Sequence, residues 1–72
     1  MKKVYKMQEL DCANCAAKME QAISKIPGVE KASVNFMMQK LTLEAAEADL
    51  PRILEEAQKA VTKIERHCRI VL

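Results

Sequence analysis

Residues 26–45, IPGVEKASVNFMMQKLTLEA, decide how the rest of the chain is read. Pro27-Gly28 stops whatever helix precedes it, since proline lacks an amide donor and glycine tolerates left-handed backbone. Val29, Ala32, Val34 and Phe36 then form a strand-like apolar series, with one slip in spacing between Val29 and Ala32. Leu41, Leu43 and Ala45 alternate with Thr42 and Glu44, the two-residue period of a half-buried strand. The short polar link around Gln39 and Lys40 joins the two as a hairpin.

Working outward, residues 3 to 9 alternate with Tyr5 and Met7 on one side and Lys6 and Gln8 on the other, a first strand. From Ala13 the period becomes helical, with Cys15, Met19, Ala22, Ile23 and Ile26 on one face. After the hairpin, Asp49 reads as the N-cap and Pro51 as the first turn of a second helix. Leu50, Ile53, Leu54, Ala57, Val61 and Ile64 mark its buried stripe. Cys68, Ile70 and Leu72 alternate as a last strand. The order strand, helix, strand, strand, helix, strand predicts a ferredoxin-like α+β fold, an antiparallel four-stranded sheet with two helices on one face. The whole chain, 1–72, is one domain, because 72 residues can barely bury one core.

Half the residues are apolar and 31% are charged, a balance that folds rather than stays disordered. The net charge is only +2 with the signs interspersed, which argues against a nucleic-acid partner. No apolar run is long enough to span a bilayer or serve as a signal peptide, so direct membrane insertion is not expected. Three cysteines, two of them in a tight C-x-x-C, make a poor disulfide framework and point to a reducing, cytoplasmic setting.

The fold brings three connections to one end: strand one to helix one, the hairpin, and helix two to the last strand. Residues 10 to 15, Leu10-Asp11-Cys12-Ala13-Asn14-Cys15, lie there, with Met37, Met38, Lys63, Ile64 and Glu65 expected as neighbours. The i, i+3 step lets both sulfurs converge, and a helix N-terminus favours thiolates, the donors preferred by soft and borderline ions. Two buried structural cysteines or a dithiol redox pair would share the same spacing. The redox reading conflicts with the strand order and with the lack of a flanking Trp or Pro.

Asp11-Cys12-Ala13-Asn14-Cys15-Ala16-Ala17-Lys18, Ile26-Pro27-Gly28-Val29 and Val34-Asn35-Phe36 resemble the heavy-metal-associated domain of soft-metal P-type ATPases and metallochaperones. The resemblance spans nearly the whole chain. It implies metal ligation by Cys12 and Cys15, a parent or partner metal-transporting ATPase, and no catalytic residues in the domain itself. Copper members usually carry Gly-Met-Thr or Gly-Met-Ser before the first cysteine, whereas this chain has Glu9-Leu10-Asp11. That variant is similar to the N-terminal domains of zinc, cadmium and lead exporters. Two thiolates satisfy Cu(I), while Zn(II) and Cd(II) seek about four donors and accept a carboxylate. Asp11 is therefore a candidate third ligand for Zn(II), Cd(II) or Pb(II), with helix N-cap as its other role. Cu(I) is the alternative cargo.

Cys68 and His67 are the remaining candidate donors. Cys68 alternates with core residues and reads first as a buried thiol, and His67 should face solvent. Met37 and Met38 are soft donors at the hairpin turn. The resemblance to the family's copper chaperones, which often carry a lysine in the last loop where pumps more often have an aromatic, suggests Lys63 as a cation offsetting a bis-thiolate site, with a solvated lysine at a helix C-terminus as its other reading. An RNA-binding domain with the same element order would need aromatics on its open sheet, and only Tyr5 and Phe36 are present, both on the apolar alternation. A metal-bridged dimer is compatible with the pattern, and so are a free-standing chaperone and an excised transporter domain.

Overall fold

The computed structural model describes residues 1–71; Leu72, assigned above to the last strand, lies outside the described residues. The elements run β1 (Lys2–Gln8), α1 (Ala13–Ser24), β2 (Val29–Asn35), β3 (Lys40–Ala45), a 3-10 turn (Glu47–Asp49), α2 (Leu50–Ile64) and β4 (Arg69–Val71). The strands form one antiparallel sheet in the order β2-β3-β1-β4. This is the ferredoxin-like arrangement that the element order predicts.

Alternation decides which sheet face is covered. Met7, Ala32, Leu41, Leu43, Ala45 and Ile70 point toward the helices and are buried, while their strand neighbours point to solvent. Helix α1 answers with Ala16, Met19 and Ile23, and α2 with Leu50, Ile53, Ala57 and Val61, each at three- and four-residue steps. All three cysteines are free, so this apolar core holds the fold without a covalent staple. Truncating a fully buried Leu43 or Ile53 to Ala would cost about 2–5 kcal/mol.

The slip between Val29 and Ala32 is a β-bulge. Val29 pairs with Ala45 and Lys31 with Glu44, so two steps on β2 meet one on β3 and the apolar side is restored at Ala32. Asp49 stands at the N-cap position, as expected, but does not act as an ordinary cap. It already has helical dihedrals and its side chain makes no capping bond, because the preceding 3-10 turn feeds directly into α2. Gly28 has φ +97°, and a Cβ there would stand 2.8 Å from the Arg52 guanidinium, which donates to the Pro27 carbonyl at 2.7 Å. Glycine thus permits both the turn out of α1 and its tie to α2.

Helix side chains close both sheet edges. Gln58 of α2 accepts from the Ile70 amide at 2.8 Å and donates to the Cys68 carbonyl at 3.5 Å, covering β4. Glu20 of α1 accepts from the Val34 amide at 3.0 Å on β2. Both edges are therefore partly satisfied internally rather than offered to another strand.

Candidate metal centre

The three loops expected at one end are joined there by hydrogen bonds. The Gln39 side chain accepts from the Leu10 amide at 3.0 Å and donates to the Leu10 carbonyl at 2.6 Å, pairing with that peptide as a neighbouring strand would. It also donates to the Phe36 carbonyl at 3.1 Å, and the Gln39 main-chain carbonyl accepts from the Met7 amide at 2.7 Å. Leu10 is buried at 2% exposure beneath the loop, so the entry to the cysteine segment is anchored by packing and by Gln39 together. From the third loop, Glu65 accepts from the Asp11 amide at 3.3 Å.

Two residues at this end hold left-handed backbone without being glycine: Glu9 at φ 58° and Gln39 at φ 54°. Glu9 stands where the copper-type pattern has Gly, so the chain keeps the backbone turn that glycine would make without strain.

Cys12 immediately precedes α1 and Cys15 lies in its first turn, both partly exposed. Cys12, not Asp11, is the N-cap: its extended backbone stands just ahead of the helix and its Sγ accepts from the Cys15 amide at 3.3 Å. The N-cap role considered for Asp11 is thereby excluded. Asp11 is exposed, with its own amide turned to Glu65.

The shared geometry divides the two thiols. Cys12 titrates below the ordinary cysteine range because the Cys15 thiol and then the Cys15 amide donate to its sulfur. Cys15 titrates above it, chiefly because its proton is held in that hydrogen bond, with burial adding to the effect. Helix position alone implied two poised thiolates. Within the pair, the Cys12 sulfur is the one that forms a thiolate more readily and the Cys15 proton is the one held back. Glu65 raises both, and the cation that acts on Cys15 is Lys18. Lys63 is an exposed side chain in the last turn of α2.

Cys68 is fully buried just before β4, and burial pushes its thiol up to about 11, with Glu65, Asp11 and Glu9 adding repulsion. In this conformation its sulfur is sealed in the core. His67 is exposed in the turn ahead of it. Met37 and Met38 are exposed at the hairpin tip, 86% and 59%. Among the described residues no three His, Cys, Asp or Glu side chains stand together as a ready-made cation cage. The structure brings Cys12 and Cys15 together at the start of α1, apart from the other candidate donors.

Sequence reasoning missed Gln39 and Lys18 and gave Glu65 no role beyond that of a neighbour. A glutamine in a turn signals polarity but not the direction of its amide. Glu65 reaches Asp11 across 54 positions of chain.

Residues 4–67 match the family model described as the heavy-metal-associated domain. The chain belongs to that family. This heavy-metal-associated domain is 31% identical over 70 residues to a cadmium, zinc and cobalt-transporting ATPase of Bacillus subtilis (strain 168), covering 97% of the chain and 10% of the relative. It is 32% identical over 65 residues to a probable copper-transporting ATPase, PacS, of Synechocystis sp., covering 90% of the chain and 8% of the relative. The domain thus spans about a tenth of the length of these relatives. Among solved structures it superposes on the N-terminal domain of ZntA in the Zn(II) form with a TM-score of 0.72 and 27% identity, over 97% of this chain and 88% of that one. Transporters of cadmium and zinc and of copper both stand among its relatives, and the domain is accordingly a heavy-metal-binding module.

Proposed function

We propose that this domain captures a divalent soft or borderline ion, Zn(II), Cd(II) or Pb(II), through Cys12 and Cys15, and delivers it to or senses it for a metal-efflux P-type ATPase. The ion is cargo. In this reading the Cys12 thiolate makes the first bond and Cys15 releases its proton as the second forms. Asp11 and Glu65 then supply oxygen donors that a two-coordinate ion would not need. Transfer proceeds by successive thiolate exchange with the acceptor, which the partial exposure of both sulfurs permits.

The observation that carries the divalent preference is the Glu65 carboxylate on the Asp11 amide, which places a second hard, negative group at the mouth of a thiol pair already preceded by Asp11. The Cu(I) reading retains the support of the copper-transporting relative. Competition titrations of the reduced chain with Zn(II), Cd(II), Pb(II) and Cu(I) separate the two. Glu65→Gln is expected to weaken the divalent ions by roughly 10-fold, and Asp11→Ala by more, with Cu(I) changed little. Equal losses for all four ions would refute the carboxylate role.

A further inference from the structure

The charges that look interspersed in sequence are sorted by the sheet. The register places Lys2 and Lys6 of β1, Lys31 of β2, Lys40 of β3 and Arg69 of β4 on the face that no helix covers. Glu44, between Lys2 and Lys31, is the one acidic side chain that alternation places there, and adding Glu30 at the bulge still leaves five cations against two carboxylates. The whole chain carries only +2, so the rest of the surface is net negative. Among the described residues the ion pairs are Arg52–Glu56 and Lys59–Glu55, both on α2, and none of the five cations takes part in one. Lys6 and Lys40 stand directly opposite each other, a like-charged cross-strand pair that weakens the sheet.

The same face exposes two aliphatic side chains, Val4 at 55% and Val71 at 38%, with Val71 paired beside Lys6. It presents no aromatic ring for base stacking, since Tyr5 and Phe36 pack against the core. Four of its five cations are lysines, point charges on flexible stems, rather than the planar forks suited to bidentate recognition of protein carboxylates. Long-stemmed cations around small exposed aliphatics on a broad sheet face complement a plane of anionic headgroups, where each Lys or Arg adds attraction without fixed geometry.

We propose that the open sheet face is a docking surface for an anionic phospholipid bilayer, with Lys2, Lys6, Lys31, Lys40 and Arg69 set around Val4 and Val71. The cysteine loop lies at the end of the sheet rather than on this face, so docking leaves Cys12 and Cys15 open to exchange. The proposal is independent of which ion the domain carries.

Co-sedimentation of the metal-free chain with vesicles tests it, using phosphatidylcholine alone and an equimolar mixture with phosphatidylglycerol. Binding is expected only to the mixed vesicles, with steep loss on added salt. Lys6→Gln with Lys40→Gln should lower the partition coefficient about 25-fold, roughly fivefold per charge. Lys25→Gln with Lys59→Gln, the same charge change on the helical side, should lower it far less. Circular dichroism confirms that both variants are folded. The proposal is overturned by equal binding to both vesicle types, by equal losses in the two variants, or by binding to an oligothymidylate or a polyglutamate peptide with none to the mixed vesicles.

Discussion

Gln39 grips the Leu10 peptide from both ends, accepting from its amide at 3.0 Å and donating to its carbonyl at 2.6 Å. That one side chain ties the hairpin to the segment leading into Cys12. Gln39→Ala is expected to destabilise the domain by about 1–3 kcal/mol in urea unfolding and to speed amide exchange at Leu10 and Asp11. Gln39→Gly should recover about 1 kcal/mol of that loss, because φ 54° costs glycine little, yet leave the fast exchange.

Glu9 offers the converse test. Its side chain is exposed and its φ is 58°, so Glu9→Gly removes backbone strain while giving the unfolded chain more freedom. The expected net effect is a gain of about 0.5–1 kcal/mol, read as a rise in the urea midpoint at unchanged slope.

The hydrogen bond between the two site cysteines predicts their order of reaction. Alkylation with iodoacetamide, followed by mass spectrometry across pH, should modify Cys12 at lower pH than Cys15. In Cys12→Ala, Cys15 loses the acceptor that holds its proton, and its profile should move down. In Cys15→Ala, Cys12 loses its donor and its profile should move up. Identical profiles in the parent would contradict the assignment.

Cys68 makes stability depend on alkaline pH. Its thiol is raised from 9.0 to about 11 in the folded chain, so between those values the unfolded state has lost a proton that the folded state keeps. Stability contributed by this group is whole below pH 9.0 and falls as pH rises toward 11, by about 2 kcal/mol in all. Urea unfolding of the parent should show this loss in excess of Cys68→Ala, which starts lower at neutral pH because of the cavity it leaves.

The fold was legible because its signals are local. Alternation in Leu41-Thr42-Leu43-Glu44-Ala45 and the helical stripe from Leu50 to Val61 need no knowledge of distant partners, and even the bulge after Val29 shows as a slip in spacing. Cys12 and Cys15 were legible for the same reason, being three residues apart. Asp11 reads as a cap because aspartate is a preferred N-cap residue, but the chain turns one residue later and Cys12 takes the position. The Gln39 clasp, the Glu65 carboxylate and the basic sheet face depend on contacts across 29 to 54 positions or on strand register. None of these can be read from spacing along the chain.

The proposed metal site is the Cys12 and Cys15 pair. Its most direct test is the thiolate-to-Cd(II) charge-transfer absorption on titrating the reduced chain. One equivalent should saturate the band in the parent and in Cys68→Ala, whereas Cys12→Ser combined with Cys15→Ser should show no tight binding. Tight binding that survives the double substitution, or that disappears in a folded Cys68→Ala, would contradict it.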